Sequence, residues 1–160
     1  MPRAFPLSGL TVLDLSRFVP GPYATMMLAD LGARVIKIEQ PEGGDPMRGL
    51  PGASPAFENL NRNKESVTLD LRRGREVLLR LARRADVLVE GFRPGVADRL
   101  GIGYRRVARL NPRIVYCSIS GYGQSGPLRD EPGHDVNYLA RSGLLDATGP
   151  SLDACLPSGT

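Results

Sequence analysis

The sequence predicts an α/β fold with a mostly parallel, Rossmann-like sheet and helices on both faces. Two observations carry this prediction. Short apolar runs bounded by glycine, proline or charged residues alternate with segments whose apolar residues recur at helical spacing. In chain order the segments are strand, helix, strand, strand, helix, strand, helix, strand and helix, which is the pattern of linked βαβ units. Parallel strands joined in this way normally cross over with a right hand.

The first βαβ unit opens the chain. Residues 11–15 form a short apolar run that predicts a strand, and the Pro-Gly-Pro sequence at 20–22 ends it. Residues 23–31 predict a helix with a proline at its start and Gly32 just past its end. Residues 35–38 predict the next strand. Strand, helix and strand therefore follow one another closely enough to form a parallel pair.

The later elements alternate in the same way. Residues 39–65 contain many Gly, Pro, Asn and Asp residues and little periodicity, so we expect a long surface loop, which in a compact domain is usually functional. Beyond it we predict strands at 66–70, 86–90 and 113–119, and helices at 75–84, 96–100, 104–110 and 135–144.

Composition places the chain among ordinary globular proteins. Its 160 residues suffice for one domain with a core. The sequence contains no run of 18 apolar residues, so it predicts no membrane span. Two cysteines, Cys117 and Cys155, make neither a disulfide framework nor a zinc site, so we expect a cytoplasmic protein and no metal. Residues 71–113 carry twelve arginines against four acids. Such a patch tolerates or attracts anions, although a solvated helix face explains many of these arginines equally well.

One stretch concentrates the candidate chemistry. An apolar strand ends at Ile119 and is followed by a glycine loop and then by His134, the sole histidine of the chain. The loop at 121–126 satisfies G-x-G-x-x-G, but no helix opens directly after it, so a tight turn explains these glycines better than a dinucleotide site. His134 is a candidate acid or base, and a structural role is the alternative. The acids around it do not match a known metal-ligand spacing.

A second candidate is the turn after the strand at 86–90. Phe92 and Arg93 lie there between two glycines, where they could stack on a ring and contact a phosphate. A strand-to-helix turn with one packed aromatic explains the same residues. The sequence pattern leaves these two interpretations even.

Several blocks of sequence resemble a known family, and they occur in that family's order. They are Gly9–Leu15, Pro20–Pro22, Leu28–Ala33, Val35–Glu39, Asn61–Lys64, Ser66–Asp70, Ala85–Glu90, Arg93–Gly95, Leu110–Arg113 and Ser120–Pro127. From about Leu7 to Leu145 the chain resembles the N-terminal part of the family III CoA-transferases and 2-methylacyl-CoA racemases. The segment Gly133-His134-Asp135-Val136-Asn137-Tyr138 resembles the racemases, because the transferases usually have tyrosine in place of His134.

The resemblance implies a role for His134 as one of two acid/base groups that exchange the proton on the α-carbon of an acyl-CoA thioester. It implies that Asp135 orients the ring or caps the following helix. The second group would be an aspartate near position 164, and neither Asp146 nor Asp153 fits that motif. We therefore expect residues 1–160 to be the N-terminal part of a larger CoA-binding domain, and to be inactive alone.

The resemblance also implies a set of CoA contacts. They are Gln40, Arg72, Gly91, Phe92, Arg93, Arg99 and Tyr138. Gln40 stands where the racemases often have arginine, so one ion pair to CoA is expected to be weaker here. The expected substrate is an acyl-CoA, with no bound prosthetic group, no nucleic acid, no membrane and an interlocked homodimer as the assembly.

Three functions remain open at this stage. The first is racemisation of 2-methylacyl-CoA by two-base proton transfer. The second is CoA transfer between carboxylic acids through an aspartyl-acyl anhydride. The third is a CoA-binding fragment without activity.

Overall fold

Five short strands form one parallel sheet in the order β3-β2-β1-β4-β5 in the computed structural model, which describes residues 5–148. The strands are β1 (Thr11–Leu15), β2 (Arg34–Glu39), β3 (Lys64–Thr68), β4 (Val87–Glu90) and β5 (Val115–Ser118). Every pairing between neighbours is parallel. The α/β, Rossmann-like fold predicted from the sequence is confirmed.

Six α-helices connect and follow the strands in the described part of the chain. They are α1 (Pro20–Asp30), α2 (Ser54–Leu60), α3 (Arg75–Ala82), α4 (Val96–Arg99), α5 (Tyr104–Leu110) and α6 (Asp135–Ser142). The predicted helices are confirmed to within three residues at each end. The chain divides after Ile119 into two compact units. The sheet and helices α1–α5 belong to the N-terminal unit, and α6 belongs to the C-terminal unit.

The sheet separates two apolar layers of the N-terminal unit because alternate side chains of a strand point to opposite faces. Val12 of β1 packs with Ala29 of α1, whereas Leu13 packs with Leu78 of α3 and Val107 of α5. Helices thus cover both faces. The central strands β1, β2 and β4 are buried at nearly every position because helices cover both faces, whereas the edge strand β3 is mostly exposed.

The segment between β2 and β3 differs from the long loop predicted for residues 39–65. It contains a short 3₁₀ helix at Pro46–Gly49 and the helix α2, and β3 begins at Lys64, two residues before the predicted start. Each short helix has a proline in its first turn and one deeply buried apolar side chain, Met47 or Phe57. One buried apolar residue in each helix gives no hydrophobic periodicity, so the sequence pattern did not predict these helices.

Gly21 fixes how closely α1 approaches the end of β1. A Cβ atom at this position would lie 2.2 Å from the Cβ of Ser16. No side chain fits there, so the first turn of α1 packs directly on the residue that follows β1. The glycine between two prolines therefore sets the distance between this helix and the carboxyl edge of the sheet.

The longest helix within residues 5–148 has 11 residues, and no helix there is long and apolar enough to cross a bilayer.

We predict that Leu78→Ala lowers the free energy of unfolding by about 2–5 kcal/mol, because it leaves a cavity beside Leu13 and Leu88 at a fully buried position. The neighbouring residue of α3 supplies the control. Val77 is 44% exposed, so Val77→Ala should change stability by less than about 0.5 kcal/mol. Urea unfolding curves of both variants check the prediction, and equal losses would contradict this assignment of the buried helix face.

Candidate functional site

The carboxyl edge of the sheet collects most of the predicted CoA contacts. Gln40 directly follows β2, Arg72 lies in the turn after β3, and Gly91–Arg93 follow β4. Because all strands are parallel, these segments lie at the same edge. The strand order reverses between β1 and β4, and open α/β sheets bind ligands outside such a switch point. Arg99 is the last residue of α4.

The Phe92 ring has a cationic partner that the sequence analysis missed. The guanidinium carbon of Arg17 lies 5.9 Å from the centre of the ring. Phe92 is half-buried against the core, and its N–H donates a hydrogen bond of 2.7 Å to Glu90 Oε2. Arg93, the candidate phosphate contact next to Phe92 in the chain, is exposed. The charged residue over Phe92 therefore comes from the turn after β1.

The other predicted contacts at this edge are exposed. Gln40 Nε2 donates a hydrogen bond of 2.9 Å to the carbonyl of Glu42. The Arg72 N–H donates to Asp70 Oδ1 at 2.9 Å. A Cβ on Gly91 would lie 3.8 Å from the nearest atom, which is an ordinary contact, so the described structure does not itself require a glycine there. A glycine that the packing does not need leaves the backbone at the switch point open to a ligand.

A buried ion pair lies behind this edge, on the face of the sheet that α1 covers. Lys64 Nζ is 3.0 Å from Asp14 Oδ2, and Thr25 Oγ1 donates 2.7 Å to the same oxygen. Ser16 donates to Asp14 Oδ1 through both its N–H and its hydroxyl. Burial disfavours the charged carboxylate, but these donors and the charges of Lys37 and Lys64 outweigh it, so the pKa of Asp14 lies below its usual value.

For Lys64, the effect of burial on the pKa is larger than the effect of the neighbouring charge. Burial lowers the pKa of Lys64 more than the attraction of Asp14 raises it. The ammonium donates to the hydroxyl of Thr25 at 2.8 Å and to the carbonyl of Pro22 at 2.9 Å. A desolvated lysine with these partners ties β3 to the first turn of α1.

Glu39 forms a second charged group at the end of β2. Arg48 donates two hydrogen bonds of 2.8 Å, one to each carboxylate oxygen, and Ser66 Oγ donates a third of 2.6 Å. The Asp45 N–H adds a donor at 3.0 Å. Arg48 and the other donors, against the effect of burial, lower the pKa of Glu39 to about 2. The Arg48 guanidinium also lies 4.0 Å from the centre of the Phe57 ring, which fixes α2 against this pair.

A cleft of about 250 Å³ opens beside these charges, between β2, β3 and α2. Within the described part of the chain, five of its six charged lining residues already form ion pairs, namely Lys37, Glu39, Arg48, Lys64 and Glu65. The sixth, Glu58, accepts a hydrogen bond from the Ser54 hydroxyl. It is smaller than most ligand sites, and we assign it no ligand.

His134 precedes α6 in the C-terminal unit. It occupies the N-cap position, and its N–H donates 2.9 Å to Asn137 Oδ1. The residue is exposed, so its imidazole is open to solvent. Asp135 is the first residue of the helix and not its cap, which corrects the expected capping role. A role of Asp135 in orienting the ring stays a prediction.

Tyr138 organises the glycine loop of the same unit. Its hydroxyl donates 2.9 Å to the carbonyl of Gly133, and its ring meets Tyr122 edge to face with 5.2 Å between the centres. A Cβ on Gly121 would come within 2.2 Å of the Tyr138 hydroxyl, so the loop backbone must be bare there.

The loop glycines serve turns, as the sequence analysis favoured. Gly123 and Gly126 have φ angles of +89° and +93°, which side chains rarely adopt. The first helix after them starts at Asp135, too late for a dinucleotide fingerprint.

Residues 7–158 match the sequence profile of CoA-transferase family III. The chain belongs to this family. It is 47% identical over 150 residues to the acetyl-CoA:oxalate CoA-transferase of Acetobacter aceti, a match that covers 90% of this chain and 39% of that protein. It is 44% identical over 147 residues to the α-methylacyl-CoA racemase of Homo sapiens, covering 91% of this chain and 36% of that protein.

A solved structure of a CaiB/BaiF family protein from Brucella suis has the same fold. It superposes with a TM-score of 0.91 at 38% identity, covering 99% of this chain and 44% of that protein. This family III chain therefore spans less than half the length of each of these three proteins.

The charged residues behind the edge were the main omission of the sequence analysis of this family III chain. A signal did exist: Asp14, Lys37 and Glu39 lie inside strand segments of a sheet that is buried on both faces. Charged residues are almost never fully buried unless they are paired, so each predicts a partner elsewhere in the sequence. The sequence does not say which residue that partner is.

We predict that Arg48→Met lowers the free energy of unfolding at pH 7 by roughly 1–2 kcal/mol, because Glu39 loses its bidentate donor. The depressed pKa makes this stabilisation fully present above pH 4.5 and removes it as the pH falls toward 2. Unfolding measured from pH 7 to pH 2 should show a steeper loss for the wild type than for Arg48→Met. Arg80→Met, at an exposed site on α3, is the control, and parallel curves for wild type and Arg48→Met would contradict the prediction.

Proposed function

We propose that this family III chain acts on an acyl-CoA thioester, with the nucleotide part of CoA at the switch-point edge and His134 as a proton carrier. The reaction we propose is inversion of the α-carbon of a 2-methylacyl-CoA. The observation that carries it is the placement of the sole histidine, exposed at the N-cap of α6 in the sequence Gly-His-Asp. Imidazole is the side chain suited to accept and return a proton near neutral pH.

The proposed step needs no external oxidant or reductant. The α-carbon–hydrogen bond breaks, its proton passes to the neutral ring of His134, and its electron pair forms an enolate on the thioester. At the start of α6 the N–H groups of Asn137 and Tyr138 donate to the His134 carbonyl at 2.9 and 3.3 Å. The N–H of Asp135, the first residue of the helix, is the donor we propose for an enolate oxygen. Return of a proton to the opposite face by a second group inverts the centre. The resemblance assigns that group to an aspartate near position 164.

The proposed CoA contacts comprise seven residues. They are Gln40, Arg72, Gly91, Phe92, Arg93, Arg99 and Tyr138. Support comes from the carboxyl-edge location of Gln40, Arg72 and the turn at 91–93, and from the positive charge of residues 71–113, which contain Arg72, Arg93 and Arg99. The phosphates of CoA favour arginine, which binds them through two parallel hydrogen bonds. The interlocked homodimer expected from the resemblance is part of the same proposal.

CoA transfer is the second candidate. The observation that favours it is the high identity to a relative named as a CoA-transferase, 47% over 150 residues. Transfer would proceed by attack of a carboxylate on the thioester, which releases the CoA thiolate and leaves an acyl anhydride on the protein. Hydroxylamine cleaves such an anhydride to a hydroxamate, whereas α-proton exchange leaves no acyl group on the protein.

We predict that His134→Ala lowers the rate of deuterium incorporation at the α-carbon of a 2-methylacyl-CoA by about 10²–10⁴-fold in the full-length protein. Mass spectrometry of the thioester in D₂O gives this rate. Val136→Ala, at an exposed site on α6, is the control and should exchange at the wild-type rate. Exchange that survives in His134→Ala would contradict the proposal, and a hydroxamate adduct without exchange would favour transfer.

We predict that Arg93→Ala weakens CoA binding about tenfold, because it removes a charge-assisted contact to phosphate. Arg84→Ala is the matched control. Arg84 is exposed at the end of α3, away from the carboxyl edge, and should leave the dissociation constant within about twofold. Isothermal titration calorimetry with CoA measures both variants. Equal dissociation constants for Arg93→Ala and wild type would exclude Arg93 from the contacts.

A further inference from the structure

A fully buried ion pair lies directly behind the turn that follows β1. Lys37 Nζ of β2 is 3.0 Å from Asp45 Oδ2, and each residue is only 2% exposed. The Lys37 ammonium also donates 3.0 Å to the carbonyl of Ser16. Removing two charges from water is costly, so the pair must be held by further contacts.

Those further contacts fix both neighbours of Arg17. The carbonyl of Ser16 receives Lys37, and the N–H of Phe18 donates 3.4 Å to Asp45 Oδ1. That oxygen also accepts a hydrogen bond of 3.0 Å from the Met47 N–H, which anchors the carboxylate.

The turn needs such support. Phe18 has a φ angle of +62°, in the left-handed region that residues with side chains rarely adopt. Phe18 is also 49% exposed, so apolar packing does not explain its conformation. Its N–H donates to Asp45 Oδ1, a contact that supports this backbone. A strained turn held by a buried pair is a device for setting the direction of the residue at its centre, which is Arg17.

We propose that Lys37 and Asp45 are positioning residues, which hold Arg17 over Phe92 so that its guanidinium contacts a phosphate of CoA. This inference rests on the proposed CoA binding at the switch point. In this proposal Arg17, in the turn after β1, makes the phosphate contact. The Lys37–Asp45 pair fixes the position of the Arg17 side chain without itself contacting the ligand. The guanidinium carbon of Arg17 lies 5.9 Å from the centre of the Phe92 ring, within cation–π range, and its N–H groups can donate to two phosphate oxygens.

A merely structural pair would behave differently. Replacing a buried ion pair by apolar residues of similar size often leaves a protein equally stable. If the pair served stability alone, the substitution would not change CoA affinity in a manner that depends on Arg17. Coupling between the pair and Arg17 therefore distinguishes the two roles.

The experiment measures CoA binding by titration calorimetry in the full-length protein, in three test variants and in one control variant. We expect Arg17→Ala to weaken binding about tenfold through loss of one phosphate contact. The double variant Lys37→Met with Asp45→Leu should weaken it about fivefold, and adding Arg17→Ala to that pair should weaken it no further than Arg17→Ala alone. The matched control is Arg34→Met with Glu65→Leu, an exposed ion pair on the same two strands, which should bind CoA as the wild type does.

Each result decides one question. If the wild type does not bind CoA, the proposed function is wrong. If the wild type binds CoA and the Lys37/Asp45 variant binds equally well, or loses affinity by the same factor with and without Arg17, the positioning role is wrong. Should that variant fail to fold, Asp45→Asn, which keeps the acceptor oxygen for Phe18 and Met47 but removes the charge, is measured in the same cycle with Arg17→Ala. Absence of coupling there would overturn the inference.

Discussion

Two buried lysines, each paired with a buried carboxylate, are the constraint on which the carboxyl edge of this sheet depends. Lys64 meets Asp14 and Lys37 meets Asp45, each at 3.0 Å. Uncompensated charges in such positions would cost far more than an ordinary core defect, so the segments that carry them cannot drift apart. The pairs hold the start of α1, the turn after β1 and the segment after β2 in one arrangement.

The charges replace apolar packing at one particular place. On the face under α1, the strands are apolar at Val12 and Val35, where the sheet begins, and charged at Asp14 and Lys37, toward its carboxyl end. Apolar packing is not directional, whereas ion pairs and hydrogen bonds fix angles as well as distances. The part of the sheet farthest from the carboxyl edge is therefore held by burial, and the part nearest to it is held by directed contacts.

Membership of family III leaves the choice of reaction to a few side chains. Relatives of comparable identity carry the names of a transferase and of a racemase, so the shared fold does not by itself decide the chemistry. In the reaction proposed above, the histidine before α6 is the group that carries the proton. Its backbone is fixed by Asn137, while its ring is left open to solvent. A fixed backbone and an accessible ring suit a group that accepts and releases a proton.

The sequence by itself determined the strands, the main helices, the mostly parallel direction of the strands and the residues at the strand ends. These follow from the apolar period, the alternation of strands and helices, and local turn chemistry. It also singled out His134, since a sole histidine after a glycine loop needs no partner to be noticed. Only the tertiary structure decided that Arg17 lies over Phe92 and that Lys37 pairs with Asp45. It also decided that the segment around Phe57, which has no apolar periodicity, forms a helix. These contacts join residues that are far apart in the chain or that lack any regular spacing. Charge and hydrophobicity show that such residues need partners, and only the fold selects which partners they meet.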